Sequence, residues 1–126
     1  MRGAYLAMML TLGLAAHASA AESYSPAYQQ CLNFSYGQQK ELNTCVEKEV
    51  KLQKKQLKAA YKQYLSLNKL HQYNIKQQHT LWENGLAQRC TRFNNSVLAK
   101  TKQEQCGLAM IVERRQYYTS RSFVAN

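Results

Sequence analysis

Few side chains in this sequence could do chemistry. Four cysteines, Cys31, Cys45, Cys90 and Cys106, lie 14, 45 and 16 residues apart. They form no Cys-x-x-Cys unit, and neither His71 nor His79 sits at zinc-finger spacing from them, so the thiols point to two disulfides rather than to a metal. The 126 residues include no Asp, which removes any Ser-His-Asp set. Histidines sharing a metal on a helix would sit four apart; His71 and His79 do not, and both read as helix-surface residues. Glu83 and Glu104 could in principle act as a carboxylate pair on a glycoside, but the many lysines pair with them more simply. Glycine-rich phosphate loops are missing. No catalytic residue, metal or cofactor is therefore expected, and the chain reads as a binding protein, not an enzyme.

The charge that remains is mostly cationic. Seventeen Lys and Arg stand against seven acidic groups, a net charge of +10. Five of the lysines, Lys48, Lys51, Lys55, Lys58 and Lys62, recur at steps of three and four. At about 100° per residue they form one stripe, centred about 160° from the apolar arc of the same segment. A solvated helix face accounts for such a run in most proteins. Here only Glu47 and Glu49 are near enough to offset it, and like charges four apart cost a few tenths of a kcal/mol per pair. The stripe is thus a candidate binding surface for an anionic lipid, a polysaccharide or an acidic protein. Specific nucleic acid is not expected.

The elements that must carry these groups are helical. Gly and Pro are absent from Gln38 to Asn84, and an all-β domain would need far more turn residues than this chain has. Thr44 and Glu47 have the spacing of a capping box, which predicts that the first helix begins near Cys45. Val46, Val50, Leu57, Ala60, Tyr64 and Leu67 share its inward arc, with the polar Gln53 as an interruption. The register falters at Leu67–Leu70, where a turn is expected. A second helix follows from about His71 to Arg92, its inward stripe being Ile75, Gln78, Trp82, Leu86 and Arg89 or Cys90. Asn94, Asn95 and Ser96 mark a loop. A third helix runs from Val97, with Leu98, Leu108, Ile111, Val112 and Tyr118 inward, and frays near Arg121. Tyr61 and Trp82 are expected core anchors, large rings being efficient fillers of a small core. Tyr117, Tyr118, Arg114, Arg115 and Arg121 form a basic and aromatic cluster at a fraying helix end.

Residues 1–20 have the three parts of a secretory signal: Arg2, an apolar run from Ala4 to Ala16, and the small residues Ala18 to Ala20. Cleavage after Ala20 leaves residues 21–126 as one domain with no membrane-spanning stretch. The expected product is periplasmic or secreted, an oxidising setting in which four thiols make two bridges. Two pairings are geometrically open. Cys45 with Cys90 would join the two ends of a helical hairpin, leaving Cys31 to Cys106. Cys31 with Cys45 and Cys90 with Cys106 would close loops that can adjust to the required Cα separation, and this local pairing is favoured.

A cysteine pair, a lysine-rich helix with Leu57 and Tyr61, Trp82 followed eight residues later by Cys90, then Cys106 and Arg114, together resemble the LprI-like domain family, named for lysozyme inhibition. The resemblance covers Cys31 to Tyr118. Lys54 and Lys58 stand where the family carries an acidic or amide residue, and Leu86 and Ala87 where it carries Arg-Asp. The family implies a small exported bacterial helical protein that inhibits or captures a cell-wall-active hydrolase or another exported protein. The expected fold is an all-α three-helix bundle with a long helical hairpin, stapled by two disulfides.

Overall fold

The structure is a computed structural model that describes residues 23–91 and 96–122. The expected signal segment and Asn94 and Asn95 lie outside the described residues. Among those described, four α-helices and one 3₁₀ turn account for the fold, with no strand: α1 (Pro26–Phe34), α2 (Gln39–Leu67), the 3₁₀ turn Lys69–His71, α3 (Gln72–Cys90) and α4 (Val97–Ser122). The all-α class holds, but with one helix more than the periodicity indicates.

The additional helix is α1, and its start is written in two residues. Ser25 caps it, its hydroxyl accepting from the Tyr28 N–H at 3.1 Å, and Pro26 follows at the first helical position, where a missing N–H costs nothing. The helix is reversed by Tyr36 and Gly37 at φ +48° and +74°. Glycine adopts that left-handed turn freely, whereas Tyr36 bears a cost of about 1–2 kcal/mol.

α2 begins at Gln39, six residues before the expected start at Cys45. The Thr44 and Glu47 capping box does not form. Thr44 sits inside the helix and its hydroxyl donates to the Lys40 carbonyl at 3.1 Å, while the Glu47 carboxylate takes Asn43 Nδ2 at 2.9 Å and Lys100 Nζ at 3.2 Å. With no breaker between Gln38 and Thr44, continuing the helix satisfies more backbone than a cap would. The helix ends at Leu67, as the faltering register indicates, without a glycine. Asn68 Nδ2 donates to the Tyr64 carbonyl at 2.8 Å, and Gln72 Nε2 to that of Leu65 at 3.1 Å. Side-chain amides thus satisfy carbonyls that a glycine cap would otherwise serve.

α4 packs along α2 and is the axis of the molecule. One buried cluster gathers Tyr28, Val46, Leu108 and Val112 from α1, α2 and α4; a second gathers Leu57, Ile111 and Tyr118. Gln53 does not interrupt the inward face but belongs to it, 2% exposed, because Glu49 and the Ser23 carbonyl take up both hydrogens of its Nε2. Leu67 and Leu98, expected inward, are 44% and 51% exposed. α4 runs to Ser122, one residue past Arg121, with Tyr118 at 0% exposure.

The structure joins Cys31 to Cys45 and Cys90 to Cys106, at Cα separations of 5.7 and 5.6 Å. The first bridge ties α1 to α2; the second ties the last residue of α3 to α4. A buried polar knot holds the beginning of the described chain. The Glu49 carboxylate, 3% exposed, accepts from the Ser25 N–H at 2.9 Å, from the Ser25 hydroxyl and from Gln53 Nε2 at 2.7 Å. The Ser23 carbonyl accepts from Gln53 Nε2 at 3.1 Å and Arg115 Nη2 at 3.0 Å.

Candidate functional site: a groove between two helices

α2 and α3 form a hairpin, yet each lies against α4 more closely than against the other. The space between them is a groove of about 750 Å³. Leu57, Tyr61 and Leu65 from α2, Trp82 and Leu86 from α3 and Ile111 from α4 give it an apolar lining. Lys54, Lys58 and Lys62 line the α2 side, and Lys76 and Glu83 the α3 side. An apolar floor with a few charged groups at its rim is the usual composition of a ligand site.

The stripe of five lysines divides on this groove. All five are exposed, but only Lys58 and Lys62 line it. Lys48 borders a smaller cavity beside Cys31 and Cys45, and Lys51 and Lys55 lie outside the groove. Lys54 and Lys76 complete the rim and were not singled out by the periodicity. Lys54, Lys58 and Lys62 recur strictly every four residues, a signal that a stripe drawn at mixed steps obscures. Lys76 carried no signal, since only the hairpin brings it opposite α2.

The groove wall is aromatic, and here one histidine departs from expectation. His71 is exposed in the 3₁₀ turn, but His79 is partly buried, its side chain 14% exposed. Its ring stacks on Tyr61 with centroids 4.0 Å apart and on Trp82 at 5.4 Å. Gln78, expected inward, faces solvent; the inward stripe of α3 is Ile75, His79, Trp82, Leu86 and Cys90, with Arg89 exposed. Tyr61 and Trp82 do pack on the Leu57, Ile111 and Tyr118 cluster, but neither is enclosed. Each gives part of its surface to the core and part to the groove.

Behind this wall the polar groups form a chain. Tyr118 Oη accepts from Arg114 Nε at 3.0 Å and lies 2.8 Å from His79 Nδ1. With the phenol oxygen already accepting, its own proton is best directed to Nδ1, which leaves the imidazole hydrogen on Nε2, facing Glu83 Oε1 at 3.5 Å. Burial lowers the His79 pKa from its ordinary 6.5; Glu83 opposes the shift and Arg114 adds to it. The same burial raises the Tyr118 phenol. Arg114 is itself held over the rings of Tyr117 and Tyr118, 4.6 and 4.8 Å from their centroids, and Arg121 lies 3.7 Å from that of Tyr117. The basic and aromatic cluster therefore largely braces the inner side of the groove.

The lowered His79 pKa has a definite sign. Below pH 6.5 the unfolded chain takes up a proton that the folded chain resists, so acidification removes stability until the folded imidazole titrates. Below about pH 7.5 the unfolding free energy should fall with a slope of less than one proton, under about 1.4 kcal/mol per pH unit. Urea titrations of His79→Gln should show a flatter profile over this range. An unchanged slope in the variant would place the titrating group elsewhere.

Glu83 and Glu104 engage separate partners: Glu83 faces His79, and Glu104 lies 3.9 Å from Lys100. Among the described residues no three His, Cys, Asp or Glu come together as a metal cluster, and no helix is long and apolar enough to cross a membrane. Compared with protein-family models, curated proteins and solved structures, the chain matches none.

Proposed function

We propose that this is an exported, non-enzymatic binding protein that captures an anionic envelope component carrying an apolar portion. The observation behind this is the groove itself, where Lys54, Lys58, Lys62 and Lys76 flank an apolar floor and Glu83 is the one acid among the described lining residues. An apolar body can sit on Leu57, Trp82 and Leu86 while its anionic group stays at the lysines. Tyr61 and Trp82 could stack on a sugar ring, but the aliphatic Leu57, Leu65, Leu86 and Ile111 suit a hydrocarbon better, which favours lipid among the anionic partners suggested by the charge. Two disulfides suit an oxidising compartment outside the cytoplasm. The LprI-like resemblance would direct the protein instead at a cell-wall-active hydrolase, and it stands on the sequence pattern alone.

Sedimentation with phosphatidylglycerol vesicles, against phosphatidylcholine vesicles, tests the reading. Lysines near an anionic surface contribute about 1 kcal/mol each, so K54E/K58E/K62E should lower binding by a hundredfold or more. K48E/K51E/K55E, of equal charge change on the same helix but outside the groove, should lose much less. Both variants should keep the helical circular dichroism signal, since these side chains are exposed. Equal losses from the two variants would mean that charge alone governs binding and that the groove has no part in it.

A further inference from the structure

Resting on the reading of the groove as an anion site, we propose that its ligand is a single unbranched alkyl chain ending in a carboxylate. The carboxylate sits between Lys62 and Lys76, and the chain runs along Leu57, Trp82 and Leu86.

Length is the first argument. Along α2 the lining runs from Lys54 to Leu65, eleven helical steps of about 1.5 Å, or about 16 Å. The hydrocarbon core of a bilayer is about 30 Å thick and holds two chains end to end, so one chain occupies about 15 Å. The groove thus has the length of one leaflet's chain. Its volume of about 750 Å³ is that of a site for one small ligand.

The second argument is the asymmetry of charge along the groove. The Tyr61 and His79 stack fixes which levels of the hairpin face each other. On the side of that stack nearer the turn, Lys62 on α2 and Lys76 on α3 make both walls cationic. On the far side Glu83 cancels one of the two charges of Lys54 and Lys58, and Leu86 continues the apolar floor. An anionic head is therefore drawn to the turn end, and an apolar tail to the other.

The third is what projects at that turn. Leu70 is 95% exposed, Tyr73 73% and Leu67 44%, beside Lys69 and the Lys62 and Lys76 pair. Exposed apolar side chains ringed by lysines suit contact with an anionic bilayer surface. They set the cationic mouth of the groove against the place where single-chain carboxylates reside.

Trp82, the single tryptophan, reports on the groove floor. The purified protein should be titrated with decanoate, dodecanoate and tetradecanoate below their micelle-forming concentrations, and with the matching alcohols, following Trp82 emission. Affinity should rise about fourfold per added methylene until the chain fills the groove, and each alcohol should bind at least tenfold more weakly than its carboxylate. K62A and K76A should each weaken the carboxylates several-fold and leave the alcohols unchanged, while K51A changes neither. Equal affinity for acid and alcohol, or no effect of K62A and K76A, would overturn the assignment. If no free carboxylate binds but phosphatidylglycerol vesicles still retain the protein through Lys54, Lys58 and Lys62, the single-chain ligand is wrong and the anion-binding groove stands. If the vesicles also fail to retain it, both are wrong.

Discussion

Tyr118→Ala is expected to lower the unfolding free energy by about 3–5 kcal/mol, the range for deleting a large aromatic from a packed core. Tyr118 is 0% exposed, and its ring meets Tyr61 and Tyr64 of α2, His79 of α3 and Tyr117 of α4, with centroids between 5.3 and 5.7 Å apart. It is the point where the three long helices share one side chain. Tyr118→Phe separates volume from hydrogen bonding, because it keeps the ring and removes the oxygen that Arg114 and His79 both use. Leaving those two polar atoms unpaired should cost about 1–3 kcal/mol. It should also alter the acid-side slope assigned to His79. Urea melts of the two variants give both quantities. A Tyr118→Phe protein as stable as the parent, with an unchanged pH profile, would show that the Arg114, Tyr118 and His79 chain is incidental to the ring.

Removing either disulfide should have an effect of similar size, with a different consequence for each. The bridges span 14 and 16 residues, and each closed loop of that length contributes about 3 kcal/mol on the chain-entropy account. In a domain of roughly one hundred residues this corresponds to about 12 °C or more in melting temperature. Cys31→Ala with Cys45→Ala loosens α1 from the first core cluster but leaves the groove wall in place. Cys90→Ala with Cys106→Ala frees the end of α3 from α4, so the groove should lose ligand and vesicle binding below the melting temperature. Calorimetry and vesicle sedimentation on the two double variants separate these outcomes. A groove that binds equally well without the second bridge would mean that α3 is held by the Tyr61, His79 and Tyr118 packing alone.

The parts legible in the sequence are those governed by neighbours. The absence of breakers gives α2 and α3, the loss of register gives the turn after Leu67, and the α4 start at Val97 follows its polar loop. The cysteine spacing favours the pairs the structure makes. What periodicity misses is set by partners far along the chain. Gln53 looks like a flaw in an apolar arc until the Ser23 carbonyl, 30 residues earlier, is brought to it. His79 looks like a surface residue until Tyr118, 39 residues later, covers its Nδ1. Thr44 and Glu47 spell a helix start, yet Glu47 is drawn to Lys100, 53 residues away. The α1 helix is a different case, since Ser25 and Pro26 stand in the sequence as a start signal, but nine residues are too few turns for a periodicity to stand out. The groove could not be read from the stripe because mixed steps hide the four-residue run of Lys54, Lys58 and Lys62, and Lys76 joins them only when α2 and α3 are set side by side on α4.

The polar knot at the start of the described chain bears on the order in which the protein can assemble. Synthesis delivers the chain from its amino end, and α1 can dock on α2 as soon as both exist, with Ser25 and Glu49 only 24 residues apart. Ser23 is secured in two stages: Gln53, 30 residues on, can take its carbonyl early, whereas Arg115, which shares that carbonyl, comes 92 residues later, and Gln116, which donates to its hydroxyl at 2.8 Å, comes 93 later. Closing so long a loop carries a greater entropic cost than any neighbouring contact and belongs late in folding. Ser23 is therefore fully fixed only once α4 has docked, and a chain stopped after α3 would keep the Gln53 bond to Ser23 but lack those from Arg115 and Gln116.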